Sequence, residues 1–189
     1  MQVETFDIKG PMVLTPKKFG DQRGFFSEVY NKAALAEVGL EADFVQDNHS
    51  FSATRGVIRG LHFQTPPHAQ GKLVRVSRGA VLDVIVDIRH GSPNFGKHLA
   101  VELSAENWRQ FWVPPGFAHA FCTLTENVEF LYKVTDVYAP DCDKGLAFDD
   151  PDLGISWPVD PAEVTLSDKD RRHPRLKDLP AWFSYSDYA

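Results

Sequence analysis

The sequence predicts an all-β fold that closes as a double-sheet jelly roll or small barrel with one or two short helices, and three observations predict it. Beyond residue 43 the chain runs in short segments that alternate apolar and polar residues, the period of a strand rather than a helix. Its 13 glycines and 13 prolines are scattered between those segments as turns. Only one stretch carries the marks of a helix. Strands of this number and spacing leave fewest free edges when two sheets close on each other.

The helix is NKAALAEVGLEA (31–42): Asn31 offers a capping oxygen, Ala33 to Val38 propagate it, and Gly39 supplies the left-handed residue that ends it. The strand segments follow as DFVQDNHSF (43–51), GVIRGLHFQ (56–64), KLVRVSRGAVLDVIVDIR (72–89), KHLAVELS (97–104), RQFWVPP (109–115), HAFCTLT (119–125) and VEFLYKVTDVY (128–138). From about Asp149 the chain reads as loop, with a turn of helix near LKDLPAWF (176–183). The tail to Ala189 is expected to wrap the barrel. No repeat, low-complexity segment or boundary interrupts the chain, so residues 1–189 read as one domain.

Composition narrows the function. A hydrophobic share of 43% and a charged share of 24% fit a globular protein, and no apolar run approaches the ~18 residues of a membrane helix. The start MQVETFDIKGPM lacks a basic segment followed by an apolar one, so the chain reads as cytoplasmic. Cys122 and Cys142 form no CxxC and suggest neither a disulfide framework nor a thiolate metal site. A net charge of −6 argues against a nucleic-acid partner but leaves room for one small anionic ligand at a local basic cluster.

Residues two apart on a strand point the same way. Lys72 therefore shares a face with Val74 and Val76, Tyr132 with Val128, Phe130 and Val134, and His119 with Phe117 and Phe121. Each is expected to point into the barrel. His62 lies with Gly60 and Gln64, and Gln46 with Asn48. Jelly-roll metal sites often use HxH on one strand; here the segment reads HFQ, with Gln64 in place of the second imidazole. Asp83 and Asp87 come too late to replace it. PGxxH is kept at residues 115–119, but two distant histidines are a poor set for zinc or iron, so no metal and no cofactor are expected. An acid-base site needs a base, a carboxylate to hold its tautomer, a cation for developing negative charge, and an acid. Singly, His62, Lys72 and Tyr132 each have a packing explanation; together they favour such a site.

Read in order, DQRGFFSEVYN (21–31), FVQDNHS (44–50), RGLHFQ (59–64), QGKLVRV (70–76), PPGFAHAF (114–121), FLYKVTDVY (130–138) and LSDKD (166–170) resemble the dTDP-4-dehydrorhamnose 3,5-epimerases. The resemblance implies a cupin-type jelly roll without metal. It also implies a homodimer with shared active sites, whose early segment reaches the partner's barrel. The implied substrate is a dTDP-sugar with a ketone at C4, which makes the hydrogens at C3 and C5 acidic. By the same resemblance His62 is the base, and Asp170 the carboxylate behind it, with Asp168 as a rival. Lys72 is the cation at the enolate oxygen and Tyr132 the acid on the opposite face. Arg23, Glu28, Gln46, Asp47, Asn48, Arg59, His119 and Lys169 match substrate-holding positions, with Arg23, Arg59 and Lys169 suited to the diphosphate. Phe26 and Tyr138 match stacking partners of thymine.

Two departures stand out. The family often reads AHGF where this chain has AHAF, so Ala120 adds a methyl beside His119. In YAPDCDKG, Asp143 is the nearest match to an acid that elsewhere follows the stacking tyrosine sooner. The competing readings are a one-centre epimerase or ketoisomerase of the same fold, a non-catalytic nucleotide-sugar-binding cupin, and a metal-dependent cupin oxygenase.

Overall fold

A computed structural model of the chain describes residues 1–160 and 162–188; Pro161 and Ala189 lie outside the described residues. In chain order the elements are β1 (Gln2–Thr5), β2 (Met12–Thr15), β3 (Phe19–Asp21), β4 (Gly24–Phe26), α1 (Lys32–Ala36), β5 (Gln46–Ser52), β6 (Ile58–Gln64), β7 (Lys72–Arg78), β8 (Ala80–Asp87), β9 (His98–Ser104), β10 (Gln110–Val113), β11 (Phe117–Thr123), β12 (Val128–Val134) and β13 (Asp143–Gly145). One sheet runs β1-β2-β10-β7-β12-β5, the other β13-β6-β11-β8-β9, and β3 and β4 form a separate hairpin. The named strands all pair antiparallel.

The two sheets face each other across one apolar layer, as alternation requires. Val13, Val74, Val76, Phe111, Val128 and Phe130 enter it from the six-stranded sheet; Val81, Ile85, Val101, Leu103, Phe117 and Phe121 enter from the other. Phe121 and Phe130 stack across the layer with ring centroids 4.1 Å apart. The intervening residues face outward, and many of those on β6, β8 and β11 are themselves covered. Leu61, Phe63, Val86, Ala118 and Ala120 pack beneath Leu146, Leu153, Leu179 and Phe183, so the C-terminal tail covers the outer face of the five-stranded sheet. A β11 buried on both faces follows from this wrapping.

The helix is shorter than expected: it ends at Ala36, not Val38. Asn31 caps it through Ala34 N–H, and Gly39, at φ +85°, closes it with bonds from Gly39 N to Ala36 O and from Leu40 N to Leu35 O. That closure uses up the last turn. Leu35 and Leu40 then pack on Leu14 and Leu73, covering part of the outer face of the six-stranded sheet. The turn near LKDLPAWF is a 3₁₀ turn at Leu176–Asp178. No helix among the described residues is long and apolar enough to cross a membrane.

Both chain ends are tied to one buried arginine beyond β8. Arg89, with no exposed side-chain surface, donates from Nε and Nη2 to Asp87 Oδ1 and Oδ2 at 2.9 and 2.8 Å. Nη1 donates to Tyr188 O at 2.7 Å and Nη2 to Lys9 O at 3.3 Å, while the guanidinium lies over the Phe117 and Tyr185 rings. This explains the glycine of the PGFAH segment: a Cβ on Gly116, whose φ is +87°, would stand 2.6 Å from Arg89 Cγ.

Candidate active site

His62 sits on β6 between His119 of β11 and Gly145 of β13, its registered neighbours on either side. Leu61 and Phe63 turn outward to the tail, so His62 turns inward. Asp170 comes from the tail. Thr165 bridges Val57, with Ile58 N donating to Thr165 O and Thr165 N to Gly56 O at 3.1 Å each, and this pins LSDKD beside β6. The pinning brings Asp170 Oδ1 to 2.5 Å from His62 Nε2. Asp168 is exposed on the surface and takes no part. Burial opposes ionisation of Asp170, but the imidazoles of His173 and His62 hold its carboxyl well below the usual carboxylate range. An ionised carboxylate only accepts, so Nε2 carries the hydrogen and Nδ1 is left free to take a proton. Burial, more than the opposing Asp170, keeps the His62 pKa below the ordinary histidine value, with Lys72 and Lys169 adding to the effect. The His62 imidazole therefore favours its neutral form near pH 7.

Lys72 faces His62 from the opposing sheet and donates from Nζ to His62 O at 3.3 Å. Burial pushes its pKa down to about 8, against the pull of Asp143 and Asp83. Tyr132, on β12 opposite Val74 and Asn48, has its phenol pushed up by burial and by Asp143 against the charge of Arg59, so it stays protonated. His62, Lys72, Tyr132 and Lys169 line two cavities at once. One, of about 440 Å³, also holds Arg59, His119 and Asp170. The other, of about 420 Å³, holds Gln46, Asn48, Tyr138 and Asp143. Asp143 accepts from Tyr138 Oη at 3.1 Å and from Lys169 Nζ, so β13 joins the tyrosine to the lysine. Gln46 fixes the same loop by accepting from Tyr138 N at 3.0 Å.

Other expected residues lie elsewhere in the single chain. Asp47 points outward and binds Lys133 at 2.8 Å, because it alternates with Gln46 and Asn48. Glu28 lines a separate cavity on the outer face of the six-stranded sheet with Arg75 and Lys133. Arg23 and Phe26 stand on the β3–β4 hairpin, where Arg23 pairs with Asp21 and Phe26 is 66% exposed. None of these reaches the two cavities of its own chain that His62 lines. The methyl of Ala120 points into the tail-covered layer, not the site. Gln64 serves structure: it donates to His68 O and Val137 O and accepts from Ala139 N.

Sequence reasoning missed Asp83 and His173. Asp83 is fully buried, with both oxygens 3.0 Å from His119 Nε2. Its parity with Val81 and Ile85 was the available signal. His173 follows Asp170 by three positions in a tail without periodicity, and nothing local marks it. His62, Asp170 and His173 are the one group of three metal-capable donors that converges among the described residues. Two donors on one zinc, each about 2.0–2.2 Å from it, stand roughly 3.3 Å apart. The 2.5 Å contact of His62 with Asp170 is instead that of a short hydrogen bond.

The profile of the family described as dTDP-4-dehydrorhamnose 3,5-epimerase matches residues 5–178. An enzyme of that description from Sinorhizobium fredii is 49% identical over 185 residues, covering 98% of this chain and 94% of its own. The Bacillus anthracis dTDP-4-dehydrorhamnose 3,5-epimerase, solved with TDP and PPi bound, superposes with a TM-score of 0.89 at 49% identity, over 92% of this chain and 98% of that one. A Legionella pneumophila 3,5-epimerase in complex with dTDP-4-keto-L-rhamnose gives 0.92 at 44% identity, over 97% and 98%.

Proposed function

The chain belongs to the dTDP-4-dehydrorhamnose 3,5-epimerase family, and we propose that His62, Asp170, Lys72 and Tyr132 carry out its reaction. It is an isomerase that inverts C3 and C5 of dTDP-4-dehydro-6-deoxy-D-glucose to give dTDP-4-dehydro-L-rhamnose. The observation that carries the assignment of residues is the 2.5 Å His62–Asp170 contact, set in a cavity that Lys72 and Tyr132 also line. His62 Nδ1 takes the proton from the carbon beside the ketone, and the electron pair passes to O4 as an enolate. Lys72 holds the enolate, and Asp170 stabilises the imidazolium. Tyr132 returns a proton to the opposite face, which inverts the centre. The same sequence serves both carbons, because both adjoin the one ketone. Arg59 and Lys169 suit the diphosphate as forked and point-charge donors, and Tyr138 suits the thymine at the mouth.

This scheme sets the pH dependence. His62 must be neutral and Lys72 charged, so kcat/KM is expected to fall on the acid side below the ordinary histidine pKa and on the alkaline side near pH 8. Deuterium entering C3 and C5 from D₂O, followed by NMR across this range, measures it. No exchange at either carbon would sink the activity; activity that holds up to about pH 10 would remove Lys72 from its role.

The second element of the proposal is a homodimer with shared sites. Phe25 packs edge-on against Trp108, with Lys18 over both rings, which anchors the β3–β4 hairpin while Phe19, Arg23 and Phe26 project outward. A projecting apolar and basic tip supports a role in a partner's site. Mixing Arg23→Ala and His62→Asn chains tests it. A mixed dimer of shared sites has one intact site and should recover up to about half the activity of a wild-type dimer; no recovery would place Arg23 in its own chain's site, and an Arg23→Ala enzyme active by itself would place it in none. A cytoplasmic setting suits the two free cysteines and belongs to the same proposal.

A further inference from the structure

His173 approaches the same oxygen of Asp170 that His62 uses. Its Nε2 stands 3.4 Å from Asp170 Oδ1, and its side chain is only 9% exposed. Nε2 is fully buried and has no hydrogen-bond partner at normal distance, a state that costs free energy if it persists through the catalytic cycle. The ring meets His62 edge-on, with centroids 5.5 Å apart. Its position is set from below by Gly145, where a Cβ would lie 2.3 Å from His173 Nε2 and Cε1. Gly145 is also the registered neighbour of His62 in the β13–β6 ladder. One strand pair therefore positions both imidazoles, and Asp170 lies between them.

We propose that His173 is a positioning residue for the epimerisation, donating from Nε2 to Asp170 Oδ1 and so holding the carboxylate in the orientation that binds His62. The need for a second anchor is physical. Both imidazoles meet the Asp170 carboxylate at Oδ1 and the Ser167 hydroxyl also bears on it, so without His173 the carboxylate loses a restraint on turning about its Cβ–Cγ bond. A carboxylate that turns away cannot stabilise the imidazolium formed when His62 takes the substrate proton. The low-lying carboxyl of Asp170 agrees with donors on both sides. The charged and titratable groups that bear on His62 are Asp170 and Lys169 from the tail and Lys72 from β7. His119 flanks it on β11 and His173 on the tail. Of these, only His173 is assigned to act through Asp170.

The inference rests on the proposed roles of His62 and Asp170, and two substitutions separate its failure from theirs. His173→Phe keeps a flat ring over Gly145 but removes the donor. His173→Gln puts an amide N–H where Nε2 was. Exchange and inversion at C3 and C5 are measured for both variants beside wild type and His62→Asn, with melting temperatures to confirm folding. The expected result for His173→Phe is a fall in kcat of roughly tenfold with KM within about twofold, and an acid limb displaced to lower pH because His62 loses its stabilised imidazolium. His173→Gln should keep more than about a third of the wild-type kcat. If His62→Asn retains wild-type exchange, the base assignment fails. If it does not, three results overturn the role of His173 alone: a His173→Phe enzyme with wild-type kcat and pH profile, an acid limb displaced upward, or a His173→Gln enzyme as impaired as His173→Phe.

Discussion

His62→Asn is expected to lower both epimerisation and solvent exchange at C3 and C5 by about 10²- to 10⁴-fold, the loss typical of a missing general base. The size follows from the site. His62 is the one histidine that lines both cavities, and Asp170 holds it as the neutral tautomer with Nδ1 open. An asparagine amide fills similar space but takes no proton. Exchange and inversion should therefore fall together. Tyr132→Phe is expected to behave differently, because base and enolate clamp remain while the donor on the far face is lost. Deuterium can then return from the His62 side with retention, so the ratio of exchange to inversion should rise. Near-normal exchange in His62→Asn, or wild-type inversion of both centres in Tyr132→Phe, would falsify the assignment of these residues to opposite faces.

Arg89→Ala is expected to cost about 3–5 kcal/mol of unfolding free energy, a large part of the roughly 5–15 kcal/mol that holds a domain folded. Its guanidinium is sealed from water and satisfies Asp87, Tyr188 O and Lys9 O at once. Truncation leaves Asp87 as a buried carboxylate whose remaining side-chain partner is the hydroxyl of Ser92, at 2.7 Å. It also frees both chain termini from the end of β8. Replacing the pair together, as Asp87→Leu with Arg89→Met, should recover much of the loss, because no charge is then stranded. Denaturant unfolding at one fixed protein concentration measures both variants. A loss below about 1 kcal/mol for Arg89→Ala would mean that the cluster is not what ties the ends down.

Much of the fold was legible because alternation on a strand is local. The period-two rule sends Val74, Val76, Phe117, Phe121, Val128 and Phe130 to one layer, and they form it. The same rule turns Lys72, His119 and Tyr132 inward, and all three line the cavity. It fails where a strand has no contrast between its faces. β1 is exposed on every residue, β3 and β4 are three-residue strands exposed throughout, and β2 is covered on both sides, with Val13 in the inner layer and Leu14 against α1. Such segments carry no alternation to read.

By itself, then, the sequence determined the all-β class, the inward faces of the central strands, and, through its ordered motifs, the family. Tertiary structure decided which partners those inward groups meet. Asp170 is chosen over Asp168 because a bridge from Thr165 to Val57 turns the tail so that the later carboxylate faces His62, 108 residues away along the chain. Asp83 becomes the partner of His119 only through the β8–β11 ladder. His173 gains its place from a glycine on a three-residue strand. The physical reason is one of range: alternation is fixed by neighbouring dihedral angles, whereas a hydrogen bond between distant residues depends on where the packing of sheets and tail sets both ends.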